Sequence, residues 1–463
     1  MAFKNNHIRK QQPVPAILCP EPRIGGLRRW ACILGMVFWG AHVVAQRPAA
    51  AQLAWHETEF YLFLHFGPNT FTDLEWGYGT ETEEIFNPTG LDCDQWCRVA
   101  LSAGAKGLII TAKHHDGFCL WPSAYSSHTV RESKWKNGQG DVLRELSNAC
   151  RRNGLKLGFY LSPWDRNHPQ YGTPEYNDIY VATMTELMTQ YGDLFEFWWD
   201  GANGEGPNGK KQQYDFHRFE REAARLQPNA VIFSDIGPGC RWAGNEQGTI
   251  GLTNWCMLDT AGFTRGAGAP APEVLQTGNE NGAHWMPAEC DVSIRPGWFY
   301  HEQEDDKVKT ADQLWNIWLK SVGRNANLIL NVPPDRRGRI HPRDSMALAE
   351  FGRLKAQKMA RPVPVKKQQT KGNITEITLK KATDIRLIRL KEDISEGQFI
   401  KNFSVQIQEK HTRQWHEIYH GTTIGYRILL ELPQRAHARR LRIVVSDSRQ
   451  PDKGKISAVH LWE

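Results

Sequence analysis

A carboxylate at the end of an apolar run, followed at once by small residues, is well placed to meet a ligand. Phe195-Glu-Phe-Trp-Trp-Asp200-Gly-Ala-Asn-Gly204 has that form, with glycines that admit close approach. The same Asp200 could equally cap a helix following the strand. Lys113-His-His-Asp-Gly-Phe118 supplies two adjacent histidines. Side chains of neighbouring residues on an extended backbone point to opposite sides, so His114 and His115 rarely share one metal. Zinc with Asp116 is one option, and hydrogen bonding to a polyol fits the spacing better. His65 stands in Leu64-His-Phe-Gly-Pro68, and Asp73-Leu-Glu75-Trp76 sets a carboxylate beside an indole. Sugar sites use that pairing, with an acceptor for hydroxyls and a flat apolar face. Glu246, in Arg241-Trp-Ala-Gly-Asn-Glu246, offers a second catalytic carboxylate or an ordinary solvated loop acid, and Glu289 is a third candidate. Two carboxylates among many aromatic residues are the constellation for glycoside hydrolysis. No serine nucleophile elbow, Walker loop or dinucleotide fingerprint occurs, so acyl transfer, phosphoryl transfer and hydride chemistry lose support.

These residues need a scaffold. Apolar runs predict strands over 61–66, 106–111, 156–161, 194–199, 230–234, 289–294 and 327–332. Between them, amphipathic spacing predicts helices over 92–103, 141–153, 180–191 and 216–226, the first two closed by Gly104 and Gly154. Strand–helix alternation argues for a parallel sheet. Polar and aromatic residues cluster at five separate strand ends: His65, His114 with His115, Trp164 with Asp165, Asp200, and Asp235. A doubly wound sheet would gather them at one switch point, so a (β/α)8-like, TIM-type barrel is expected. Its sixth and seventh strands are expected between Gly251 and Gln276. Residues 361–370 read as a linker. Over 371–463 the apolar period becomes two with no helix, which predicts an all-β sandwich of about eight short strands.

The expected organisation is therefore an export signal over 1–45, a catalytic barrel over 46–360, the linker, and the sandwich. Arg28-Arg29 precedes an apolar run from Ala31 to Ala45, with Val43 and Ala45 suited to a cleavage site. The run is shorter than the roughly 18 residues that span a bilayer, so it reads as a signal for a periplasmic or secreted protein. No later segment is apolar enough to span a membrane. The net charge of +6 comes from the two ends, and the central 46–360 stretch is acidic. That distribution is a poor match for a nucleic-acid channel, and no nucleic-acid partner is expected. Nine cysteines include no Cys-x-x-Cys pair, which argues against a zinc ribbon.

Leu64-His-Phe-Gly67, Glu75-Trp76, Lys113-His-His-Asp-Gly-Phe118, Gly158-Phe-Tyr160, Trp198-Trp-Asp200-Gly and Asn327-Leu-Ile-Leu-Asn-Val-Pro-Pro-Asp-Arg-Arg-Gly338 occur in one order from about Trp55 to Met359. Together they resemble the family-29 glycoside hydrolases, retaining α-L-fucosidases. The resemblance implies a (β/α)8-like barrel followed by a C-terminal β-sandwich. Ile394-Ser-Glu-Gly-Gln398 and His420-Gly-Thr-Thr-Ile-Gly425 look like a galactose-binding, discoidin-type module. It further implies Asp200 as nucleophile, and His65, Glu75, Trp76, His114, His115, Tyr160, Trp198 and Arg241 as fucose-holding residues. Trp298, in Ser293-Ile-Arg-Pro-Gly-Trp298-Phe-Tyr-His301, would wall the pocket. Arg241-Trp-x-Gly-Asn-Glu246 resembles the subfamily that cleaves α-1,3/1,4-linked fucose from Lewis-type glycans, with Glu246 as acid/base.

In such chemistry the two carboxyls stand about 5–5.5 Å apart. The acid starts protonated, held so by burial or by the neighbouring negative charge. No metal or organic cofactor is expected, and the expected partner is a fucosylated oligosaccharide or glycoconjugate. A lectin-like protein without turnover and an exo-glycosidase for another sugar are the alternatives.

Overall fold

A computed structural model describes residues 46–409 and 412–463. The expected export signal lies outside the described residues. Eight parallel strands close into a barrel: β1 (Phe60–Leu64), β2 (Gly107–Lys113), β3 (Lys156–Leu161), β4 (Glu196–Trp198), β5 (Val231–Ser234), β6 (Cys240–Trp242), β9 (Ala288–Ser293) and β10 (Asn327–Asn331). The ring closes where Phe60 of β1 pairs with Leu328 of β10. A separate two-stranded ribbon, β7 (Met257–Leu258) with β8 (His284–Trp285), lies between β6 and β9 in the chain.

Both faces of these strands are covered, which is why β1 and β2 read as unbroken apolar runs. Alternation still sorts the side chains. Phe60, Leu62 and Leu64 join the large core that includes helix residues such as Trp96 and Leu146. Tyr61 and Phe63 join Ile109, Tyr160, Trp198 and Phe233 in a second cluster. Continuing the period of two puts His65 on the Tyr61–Phe63 face, at the carboxyl end of β1.

The helices Cys93–Ala103, Val142–Asn153, Tyr176–Gln190 and Phe216–Leu226 follow β1 to β4 in turn. Asp92 and Asp141 start the first two as side-chain caps, accepting from Gln95 N–H at 2.9 Å and Arg144 N–H at 2.8 Å. Helices Ala311–Lys320 and Pro342–Lys358 follow β9 and β10. Among the described residues no helix is long and apolar enough to cross a membrane.

Two expectations change here. The sixth strand is Cys240–Trp242, three residues inside what reads as a glycine-rich loop, and the seventh is β9, so neither lies between Gly251 and Gln276. β6 reaches β5 with no helix between them and pairs with it at only two positions, Phe233 with Cys240 and Ser234 with Arg241. So short a strand leaves no periodic trace in the sequence.

The linker over 361–370 also gives way, because Val365–Lys371 is a strand, β11. Its Lys, Gln and Thr side chains are exposed on both faces, and only backbone pairing to β12 (Ile374–Glu392) marks it as a strand. β13 (Ile400–Gln408), β14 (Trp415–Gly421), β15 (Ile428–Ser448) and β16 (Ile456–Trp462) complete an antiparallel C-terminal domain. The expected eight short strands are six. β12 and β15 run for 19 and 21 residues, and register shifts interrupt their pairing. Buried Arg427 ties this domain to the barrel through the carbonyls of His56 and Ala326, both at 2.9 Å.

Candidate active site

The carboxyl ends of the barrel strands surround a cavity of about 210 Å3. That is below the roughly 300–1,000 Å3 of drug-sized sites and suits a single ring. His65 beyond β1, His114 and His115 beyond β2, Tyr160 on β3, and Trp198 with Asp200 at the end of β4 line it. Glu75 and Trp76 come from the loop after β1, Glu246 from the turn after β6, and Trp298 from the loop after β9. Of the eleven predicted site residues, only Arg241 is missing.

Asp200 is held by two donors: the Tyr160 hydroxyl, 2.9 Å from Oδ2, and the Ala202 N–H, 2.7 Å from Oδ1. Backbone and phenol thus fix both oxygens at the cavity wall, the preorganisation a nucleophile needs.

The histidines are neutral acceptors. Burial lowers His65 to about 3, His114 well below its ordinary value, and His115 to about 4, the last in spite of the opposing Asp200 charge. Their tautomers follow from the partners. Asn331 donates its amide protons to Ser293 Oγ and the Trp298 carbonyl, so its Oδ1 accepts from His65 Nδ1 at 2.8 Å. Ser162 donates to the Trp164 carbonyl, so its oxygen accepts from His115 Nδ1 at 2.7 Å. Both rings are left with Nε2 as an acceptor for hydroxyl groups.

Glu75 is gripped by the N–H groups of Trp298 at 2.8 Å and Phe299 at 3.2 Å, and by His301 Nε2 at 2.6 Å. His301 Nδ1 meets Asp73 at 2.7 Å. Burial lowers the His301 pKa, but hydrogen bonds to Asp73 and Glu75 outweigh it and the net shift is upward. Trp198 stacks face to face on Phe233, with ring centres 3.8 Å apart, and its Nε1 donates to Glu289 at 2.8 Å. Trp76 is exposed and meets His115 and Trp164 edge-on.

Glu246 is exposed at the rim, with the Trp298 indole N–H at 3.4 Å. The burial expected of the acid is therefore not found at Glu246. It borders a second cavity of about 300 Å3, which shares Trp198, Asp200 and Asp291 with the first and adds Phe233, Asp235 and Trp242.

Arg241 is the correction. It lies on β6, where alternation sends neighbours to opposite faces, and Trp242 takes the cavity side. The Arg241 guanidinium is fully buried elsewhere, bonded to the carbonyls of Leu275 and Met286 and to Asn254 Oδ1. Burial lowers it to about 10. Glu289 is not at the mouth either. It lies inside the barrel, bonded to the Tyr61 hydroxyl and Trp198.

The zinc option does not assemble. Asp116 turns away from the paired histidines to accept from Phe118 N–H at 2.7 Å and Asn69 at 3.1 Å. Among the described residues, the acid and thiol groups close enough to share a metal are Glu196, Cys240 and Glu289, in the barrel interior.

Three contributors escaped the sequence reading: Asp291, His301 and Asn331. Asp291 and Asn331 occupy strand positions where a polar residue reads as a break in an apolar run, and His301 sits in a loop. The motif ending at His301 and the Asn327–Gly338 motif contained two of them, and nothing in the sequence marked Asp291.

A family model described as Alpha-L-fucosidase matches residues 33–357. Alpha-L-fucosidase 1 of Arabidopsis thaliana is 40% identical over 435 residues, covering 87% of this chain and 85% of that protein. The crystal structure of a glycoside hydrolase 29 family member from an unknown rumen bacterium superposes with a TM-score of 0.82 at 40% identity, covering 90% of this chain and 77% of that one. A Ruminococcus gnavus GH29 fucosidase in complex with fucose gives a TM-score of 0.78 at 28% identity, covering 90% of this chain and 95% of that one.

Proposed function

The chain belongs to the α-L-fucosidase family, glycoside hydrolase family 29, and we propose that it releases terminal α-1,3/1,4-linked L-fucose from branched, Lewis-type glycans with retained configuration. The carrying observation is one cavity that holds a doubly anchored Asp200, neutral histidine acceptors, indole faces and the Glu246 carboxyl.

Asp200 attacks the anomeric carbon as Glu246 gives its proton to the departing glycosidic oxygen. A C–O bond to Asp200 forms as the bond to the leaving group breaks. Glu246 then takes a proton from water, which displaces Asp200 and frees fucose. His65 and His115 accept sugar hydroxyl protons through Nε2, Glu75 accepts another, and Trp198, Trp298 and Trp76 offer apolar faces. The second cavity, bordered by Glu246, is where the rest of a branched glycan would lie. No step requires a metal or organic cofactor.

The test is fucose release from a Lewis-type trisaccharide beside a 2′-linked fucosyllactose. Release from the branched substrate alone is expected. Equal release from both would discard the linkage claim, and none from either by well-folded protein would favour a fucose-binding, lectin-like role.

The grip on Glu75 yields another expectation. His301→Ala removes a charge-assisted hydrogen bond, worth roughly 1.5–3 kcal/mol, and KM should rise about tenfold or more with a smaller change in kcat. Steady-state kinetics check this, and an unchanged KM would show that Glu75 needs no such support. We also propose export on the strength of Arg28-Arg29 and the apolar run after it. Cleavage after Ala45 would make Gln46 the first residue of the protein recovered from cells, which N-terminal sequencing decides.

A further inference from the structure

We infer that Asp291 is the positioning residue for the acid/base: its carboxyl fixes the turn carrying Glu246 and donates a hydrogen bond to Glu246 once that residue is ionised. The inference rests on the reading of Glu246 as acid/base.

The turn is tied to β9 largely through this one residue. The Trp242 indole N–H donates to Asp291 Oδ1 at 2.8 Å, and Gly248 N–H donates to the Asp291 carbonyl at 3.0 Å. Ala243 N–H adds a bond to the Glu289 carbonyl at 2.9 Å. Glu246 lies between these anchors, so an exposed side chain rides on a backbone pinned at both ends. Gly248 has φ of +68°, and a Cβ there would come within 2.7 Å of Val292, so the turn closes against β9 only with glycine.

Asp291 itself is 4% exposed, yet its carboxyl borders both cavities that Glu246 borders. The titratable groups that share its cavities are Glu246, Asp200, Asp235, Glu75, His65, His114, His115 and Tyr160, and Glu289 lies two residues before it on β9. Among the described residues neither cavity is lined by a lysine or arginine. Burial first holds the Asp291 carboxyl well above the usual carboxylate range, and the charge of Glu246 adds to it once that residue is ionised.

A neutral acid with Oδ1 occupied by Trp242 has its hydroxyl to offer. Before the reaction Glu246 carries its own proton. Once that proton has gone to the leaving oxygen, a donor beside the new carboxylate stabilises it, so Asp291 favours the charged state that forms during catalysis. The neutral form also spares the site a third negative charge beside Asp200 and Glu246.

The experiment compares wild type, Asp291→Ala, Asp291→Asn and Glu246→Ala. Two fucosides are used, one with a sugar leaving group and one with dinitrophenolate, which departs without a proton. Asp291→Ala should lower kcat on the sugar-leaving substrate about a hundredfold, with little change in cleavage of the dinitrophenyl bond. It should also move the basic limb of the pH–rate profile to higher pH, because a lost donor weakens the acid. Asp291→Asn, which keeps an acceptor for Trp242 and a donor, should restore most of the rate.

Equal losses on both substrates, or a basic limb moved to lower pH, would overturn the inference. If Glu246→Ala itself shows no leaving-group dependence, the acid/base reading fails first. If Glu246→Ala shows it and Asp291→Ala does not, the Asp291 role alone fails. Should Asp291→Ala not fold, Trp242→Phe removes the indole donor and keeps the ring, and should give a weaker form of the same dependence.

Discussion

Asp200→Asn is expected to lower kcat/KM for fucose release by about 10,000-fold or more, the scale on which loss of a catalytic nucleophile is felt. The substitution is nearly isosteric and keeps one carbonyl oxygen, so the Ala202 N–H at 2.7 Å can still be satisfied and the β4 end need not move. Tyr160, now donating to Oδ2, would face an amide nitrogen and must turn its hydroxyl elsewhere. Binding should therefore survive where turnover does not. Calorimetry with free fucose, beside an end-point assay on the Lewis-type substrate, separates the two. Residual turnover within tenfold of wild type would remove Asp200 from the nucleophile's place and reopen the choice among the carboxylates of the mouth.

The position of Asp200 was legible because an apolar strand ending in an acid and small residues has few uses in a parallel barrel. His65, His114 and His115 were legible for the same reason, each lying just past a run of buried β residues. Arg241 was placed in the pocket by the family resemblance, and its segment, which reads as loop, offered nothing against that. In a loop either side chain of Arg241-Trp242 could reach the mouth, but in the three-residue strand β6 alternation gives the mouth to the indole. β11 was invisible because an edge strand with both faces in water needs no hydrophobic period.

Asp291 was missed and Glu289 misplaced for a different reason. On β9 both are buried acids within one short strand, and sequence alone cannot tell which faces the cavity and which the barrel interior. That distinction depends on partners brought from β1, β4 and β6, more than 40 residues away in each case. A linear pattern carries no record of them.

Glu289 carries the second large effect, on stability. Its carboxyl accepts from the Trp198 indole at 2.8 Å and from the Tyr61 hydroxyl, and it faces Glu196, which accepts from the Trp55 indole at 2.6 Å. Glu289→Ala would strand two buried donors and open a cavity beneath Trp198, at a cost of about 3–5 kcal/mol. Glu289→Gln is the informative partner variant, because its amide oxygen can serve Trp198 while its N–H2 donates to Glu196. Burial raises both carboxyls, and the charge of Glu196 raises Glu289 further, so the fold retains a proton that the unfolded chain releases. With more protons bound in the native state, the stabilisation is complete below the ordinary glutamate value near 4.5 and is lost as pH rises toward the raised native value. Wild type should thus lose melting temperature relative to Glu289→Gln on going from pH 4.5 to 8, every other ionisable group being common to both. Parallel melting curves across that range would mean that the pair holds no extra proton, and the carboxyl facing Glu196 would then need another partner to account for its burial.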